Sequence, residues 1–184
     1  VAPIESVYFQ TAFYDGDPDP TAGSPIEPSN LNRSGTRFNL NDREGFFSIH
    51  ELAYKLNQGK TDQGLPGFYK AGGWHHSGQF QHNRLDNTGI LLADTLNSSG
   101  VPHSINGNYG VYLVADQMIY REAGTDDQGI GLFWRGGGSP PDRNVFEFYS
   151  EGGCHCKGLI PDRDRDVFGV AAAYAQISRH LRDF

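Results

Sequence analysis

Glu147 and Glu151 are the first residues to weigh, because two carboxylates facing one sugar bond make a glycosidase. They lie in RNVFEFYSEGGCHCKG, a run of aromatic and β-branched residues that reads as a strand. Four positions along a strand is roughly 13 Å, beyond the ~5–9.5 Å that the two-carboxylate reaction uses. The segment WHHSGQFQH suggests a metal, but His75 and His76 point to opposite faces of a strand. Cys154 and Cys156 share one face while His155 takes the other, and two thiols alone do not make a zinc site. Their spacing also puts the Cα atoms too far apart for an unstrained disulfide. DGDPDP, from Asp15 to Pro20, offers oxygen ligands for calcium but lacks the twelve-residue spacing that ends in Glu, and it reads as a solvated loop. No nucleophile elbow, phosphate loop or metal motif occurs. These exclusions argue against an enzyme and call for no cofactor. What remains is a scatter of charged and aromatic side chains along strand-like runs.

Seven such runs position them: Ser6–Tyr14, Gly45–Leu56, Gly67–Ser77, Asn108–Glu122, Gln128–Gly137, Arg143–Gly158 and Asp166–Ser178. Most are ten residues or slightly longer, as a tilted strand crossing a bilayer requires, whereas strands of soluble proteins average about 5–6. The links alternate. Asp15–Glu44 and Gly78–Gly107 are long, and NQGKTDQGLP, AGTDD and LIPDRDR are short; GGSPPD is a short member of the long class. Outer-membrane barrels have this rhythm of short periplasmic turns and longer extracellular loops. Within the second long link, TGILLADTL (Thr88–Leu96) suggests a short helical turn.

Alternation assigns faces. In the sixth run Phe146, Phe148, Ser150, Gly152, Cys154 and Cys156 oppose Glu147, Tyr149, Glu151, Gly153, His155 and Lys157. A lipid side and a water side explain this; so does a soluble sheet with one wet face. The fifth run sets Ile130, Leu132 and Trp134 against Phe133 and Arg135, and the third puts Lys70, Gly72, Trp74 and His76 together. In the second, Glu51 should face inward, yet Phe47 and Ile49 share its face, a conflict that a bulge would remove. In the fourth, Asp116 is expected inward and Gln117 outward, since a carboxylate in lipid costs more than an amide.

The net charge of −7 argues against nucleic acid as a partner. No stretch approaches 18 apolar residues, so no transmembrane helix is expected. A mean hydropathy of −0.54 remains compatible with a barrel, whose alternating strands average away.

Taken in order, HELAYKL, GFYKAGGWHHSGQF, NYGVYLVADQMIYRE and the run from GIGLFWRGGG to AAAYAQIS resemble the carbohydrate-selective porins of the OprB family. The resemblance spans about Ser48 to Ser178. It implies an all-β fold: an antiparallel transmembrane β-barrel of sixteen strands in the bacterial outer membrane, of which residues 1–184 supply about seven, with strands missing at both ends. It also implies passive diffusion of mono- and oligosaccharides, contact with outer-membrane lipids, and room for a homo-oligomer, a trimer, of the full-length barrel. A sugar pore needs groups that replace water around hydroxyls, aromatic faces, and mixed charge at its narrow part. The residues expected to line it are Glu51, Lys70, Trp74, His76, Asp116, Arg135, Glu147, Glu151 and Lys157. The plainer alternative is that they solvate a wide lumen or pair across strands. Arg135 and Glu147 are the pair expected to meet, and Trp74 is open to both a platform and a girdle role. The rival readings are a soluble β-sandwich that binds sugar like a lectin, and a plugged barrel that conducts nothing.

Overall fold

The computed structural model describes residues 6–16, 45–59, 62–158 and 160–182. Most of the first long link, and with it most of DGDPDP, lies outside the described residues.

Seven strands form: β1 (Val7–Asp15), β2 (Phe46–Leu56), β3 (Gly67–Asp86), β4 (Pro102–Arg121), β5 (Gly129–Gly138), β6 (Phe146–Lys157) and β7 (Val167–Ile177). Each pairs antiparallel with its sequence neighbours in one seven-stranded sheet. The turns on one side are tight. Asn57 takes a positive φ and donates its side-chain amide to the Leu65 carbonyl, and Gly124 and Gly158 adopt left-handed φ at the other two turns. On the opposite side β3 and β4 join through residues 87–101, and β5 and β6 through 139–145.

Among the described residues no second sheet packs on the first. Among the described residues Ala53 is the one buried hydrophobic side chain, while Val170, Val111 and Phe168 stand 68, 65 and 62% exposed. A soluble sandwich buries alternate residues between two layers; this sheet has no core of its own.

Three expectations need correction. First, β3 and β4 are twenty residues each, far beyond Gly67–Ser77 and Asn108–Glu122. Much of the second long link is therefore paired strand, and His82 stands on β3. The segment QFQHNRLD is polar at all positions but Phe80 and Leu85, and its buried members His82 and Asp86 are polar too, so it lacks the alternation that marks a strand elsewhere. Second, TGILLADTL forms successive turns with one isolated bridge, Leu85 to Leu91, and no helix. Third, β2 has no bulge: it runs in unbroken register against both β1 and β3, and Phe47 and Ile49 stay on the face of Glu51. Register shifts fall instead at His76/Gln79, Gln81/Asp86, Met118/Tyr120 and Phe146/Phe148. After β7, Ser178 opens a four-residue helix, α1 (Arg179–Arg182), accepting the His180 N–H on its hydroxyl.

The shift at His76/Gln79 separates two regions. Before it, β3 and β4 are flanked by β2 and β5; beyond it, β2 has ended and β5 pairs with β4 no further than Val111. Among the described residues neither β2 nor β5 continues beside this distal hairpin. It leans on the β5–β6 link: Asn83 donates its backbone N–H to Asp142, Asn108 and Asn144 exchange side-chain amide bonds at 2.9 Å, and Arg143 donates to the Gly107 carbonyl at 2.6 Å.

Candidate functional site

Residues directly opposite in a ladder share a face, so the register sorts the side chains of the wall. One row runs Gln10, Glu51, Gly72, Tyr112, Gly137, Tyr149; the next runs Tyr8, Ala53, Lys70, Val114, Arg135, Glu151. Trp74 opposes Ile49 and Gly110, His76 opposes Phe47 and Asn108, Asp116 opposes Phe68 and Phe133, and Lys157 opposes Gly129. Glu51, Lys70, Trp74, His76, Asp116, Arg135, Glu151 and Lys157 therefore stand on one face. Glu147 alternates onto it from the bulged start of β6.

The opposite face is apolar, with Phe9, Leu52, Leu113, Leu132, Val170 and Phe168 exposed along it. Three pairs of its polar groups bond one another. Thr11 bonds His50 at 2.8 Å, Tyr69 donates to the Gln117 side chain, and the Trp134 indole donates to Ser150 at 3.0 Å. A polar group facing hydrocarbon without a partner would cost several kcal/mol, and these pairings remove that cost. Gln117 is on this face and Asp116 on the other, as the cost of a carboxylate in lipid requires.

On the polar face the charges pair locally. Glu51 accepts from Lys70 Nζ at 2.8 Å and from the Tyr112 hydroxyl at 3.0 Å. Lys70 also lies over the Phe68 ring. Arg135 meets Glu151 at 3.3 Å, lies over Phe133, and shares Glu151 with the Tyr149 hydroxyl. The expected partner, Glu147, is elsewhere: Gln176 donates to it, and Arg179 and Arg182 approach within 3.9 and 3.8 Å. The register explains the difference, since Arg135 stands directly opposite Glu151 and four residues of β6 separate it from Glu147. Lys157 pairs with Asp127 at the short-turn end.

His76 has both ring nitrogens engaged: Nδ1 accepts the Gly78 N–H at 3.0 Å, so Nε2 carries the proton and donates to the Gly16 carbonyl at 2.9 Å. It fastens the bend of β3. Trp74 stacks on Phe47, with centroids 5.9 Å apart and 27° between planes. Sequence reasoning missed Tyr112, whose ring lies flat across Gly72, and did not see that Trp74 lies likewise across Gly110. A Cβ at either glycine would collide with the ring. Only the register exposes such pairs.

A second polar cluster holds the distal hairpin. Asp86 has no exposed surface. It accepts bonds from the N–H groups of Thr88, Ile90 and Ser99 and from the hydroxyls of Thr88 and Ser98, all within 3.0 Å. Burial works to raise its pKa, but the Ser99, Thr88 and Ile90 bonds outweigh it and hold the carboxyl well below the usual range. His82 accepts two backbone N–H bonds on Nδ1, from Arg84 and Leu85. Burial, then the neighbouring His180 ring, lowers its pKa below 6.5, with Asp142 opposing.

Three comparisons with known proteins bear on this arrangement. A family model described as "Carbohydrate-selective porin, OprB family" matches residues 1–184. Among curated proteins, none matches. The chain superposes on a high-pH structure of OprB from Pseudomonas putida with a TM-score of 0.79, over 98% of its own length and 39% of that chain, at 20% sequence identity. That identity speaks for the fold alone, and the chain spans 39% of the length of the structure it matches.

Proposed function

This chain belongs to the carbohydrate-selective porin, OprB family, and from that premise we propose that it forms part of the wall of a water-filled pore through which sugars diffuse passively. The family is one of the bacterial outer membrane.

One observation carries the reading: seven long strands form a single sheet with next to no buried apolar core. Each large apolar side chain gains about 1.5–3 kcal/mol on leaving water. The sheet leaves a whole face of them exposed, which becomes favourable when that face meets hydrocarbon. The other face carries paired charges and aromatic rings, the chemistry a hydrated lumen requires. A lectin-like sandwich would need a second sheet, and none packs here among the described residues. Diffusion needs no energy source or cofactor. Glu51, Lys70, Trp74, Asp116, Arg135, Glu151 and Lys157 are proposed to line the pore, with His76 bracing the wall and Glu147 tied to α1.

The test uses the full-length protein in a planar lipid bilayer. Stepwise ion conductance that glucose and maltose-type sugars reduce in a saturable way is the expected result. Channels that no sugar blocks would overturn carbohydrate passage, and a protein that stays soluble without detergent would overturn the pore.

A further inference from the structure

Gly72 and Tyr112 stand opposite each other between β3 and β4, as do Trp74 and Gly110. In both pairs the ring folds down over the glycine, into the space a Cβ would take. Tyr112 thereby crosses β3 to reach Glu51 on β2, and its hydroxyl hydrogen bond fixes the ring there. One ring face is spent on the sheet, and the other looks into the space above. That space is a hollow of about 640 Å³, whose inner-face walls are Gln10, Ala12, Tyr14, Ile49, Glu51 and Tyr112. The volume falls in the range of small-molecule sites. Above Tyr112, towards the long-loop end, Trp74 stacked on Phe47 gives a second flat surface.

From this placement we infer that Tyr112 is the floor of a binding site for a pyranose ring, with Glu51, Lys70 and Gln10 as its hydrogen-bonding rim. The inference deepens the reading of the chain as a sugar pore and rests on it. A pyranose has an apolar face of axial C–H bonds that suits an aromatic plane. Its equatorial hydroxyls point outward around the ring, where an acceptor and a donor beside the plane can meet them. Glu51 is already held by Lys70 and Tyr112, so the carboxylate is oriented before a sugar arrives, and little ordering is left to be done on binding. Gly72 is the positioning residue, since any side chain there lifts the ring off the wall.

The experiment measures sugar block of ion current through the full-length protein in planar bilayers, with glucose and maltose as probes. Tyr112→Leu removes the floor and is expected to raise the half-blocking concentration about three- to tenfold. Gly72→Val leaves Tyr112 in the chain but displaces its ring, and is expected to have the same effect. Tyr112→Phe retains the plane and loses only the hydroxyl, and should shift the value less than Tyr112→Leu does. Val111→Ala, on the outer face, should not shift it. Wild-type channels blocked by sugar, with Tyr112→Leu and Gly72→Val blocked equally well, would overturn this site and leave the pore standing. Wild-type channels that conduct ions and ignore sugar would overturn carbohydrate passage itself, and the site with it.

Discussion

The wall of seven strands and the hairpin beyond it share two strands, β3 and β4, and are held by different physics. In the wall, side chains alternate between an apolar and a polar face, and position along the strand decides the environment. In the distal hairpin individual polar groups do the holding: Asp86 gathers its turn, His82 accepts two backbone bonds, and Asn83, Asn108 and Arg143 join the hairpin to the β5–β6 link. A repeating pattern tolerates the loss of one member. A hub does not, because several bonds depend on the one side chain.

The largest expected effect lies in the wall. Leu113→Arg places a charge in the middle of the outer face and should cost about 2–4 kcal/mol of stability in vesicles, whereas Ala173→Arg, on the inner face opposite Glu151, should cost less than about 1 kcal/mol. Urea unfolding of the full-length protein from lipid vesicles reads both, and equal costs would undo the assignment of faces. Next comes Asn144→Leu, which leaves the buried Asn108 amide without its partner. A loss of about 1–3 kcal/mol is expected, confined to local opening of the hairpin. Hydrogen exchange should quicken in residues 79–108 and stay unchanged in the wall portion of β4; quickening throughout would mean that the two regions are one cooperative unit. The smallest effect is graded. The His82 pKa is lowered on folding, so its contribution is present above pH 6.5 and fades as the pH falls below it. The Asp86 carboxyl is also lowered, so its contribution is present above the ordinary carboxylate range and drains away beneath it. Exchange pulses at one fixed pH, after incubation from pH 7 down to pH 3, should show hairpin protection declining in two stages. Protection that rises on acidification would reverse both signs.

The same contrast governs what could be read from the residues. The polar face of Lys70, Trp74 and His76, and of Glu151 and Lys157, was legible because alternation of period two needs no partner strand to be seen. The length of β3 and β4 was not, since QFQHNRLD has no apolar side to alternate with. The register puts Arg135 on the face of Lys70 and opposite Glu151, where Glu147 was expected, because register is set across strands and a single strand carries no record of it. Tyr112 escaped for the same reason. Its role depends on a glycine forty positions away, and only the pairing of β3 with β4 brings Gly72 beneath its ring.

The end of β2 and β5 beside a hairpin that continues also has a mechanical meaning. Drawn outward by its tip, the hairpin would peel from the β5–β6 link one attachment at a time, each giving way at low force. At the bend near His76 the pull would reach strands bonded on both edges, where the whole ladder is loaded in shear and yields only together. The bend is where compliance ends and stiffness begins, so the tip can be tugged without straining the bore of the wall beneath it.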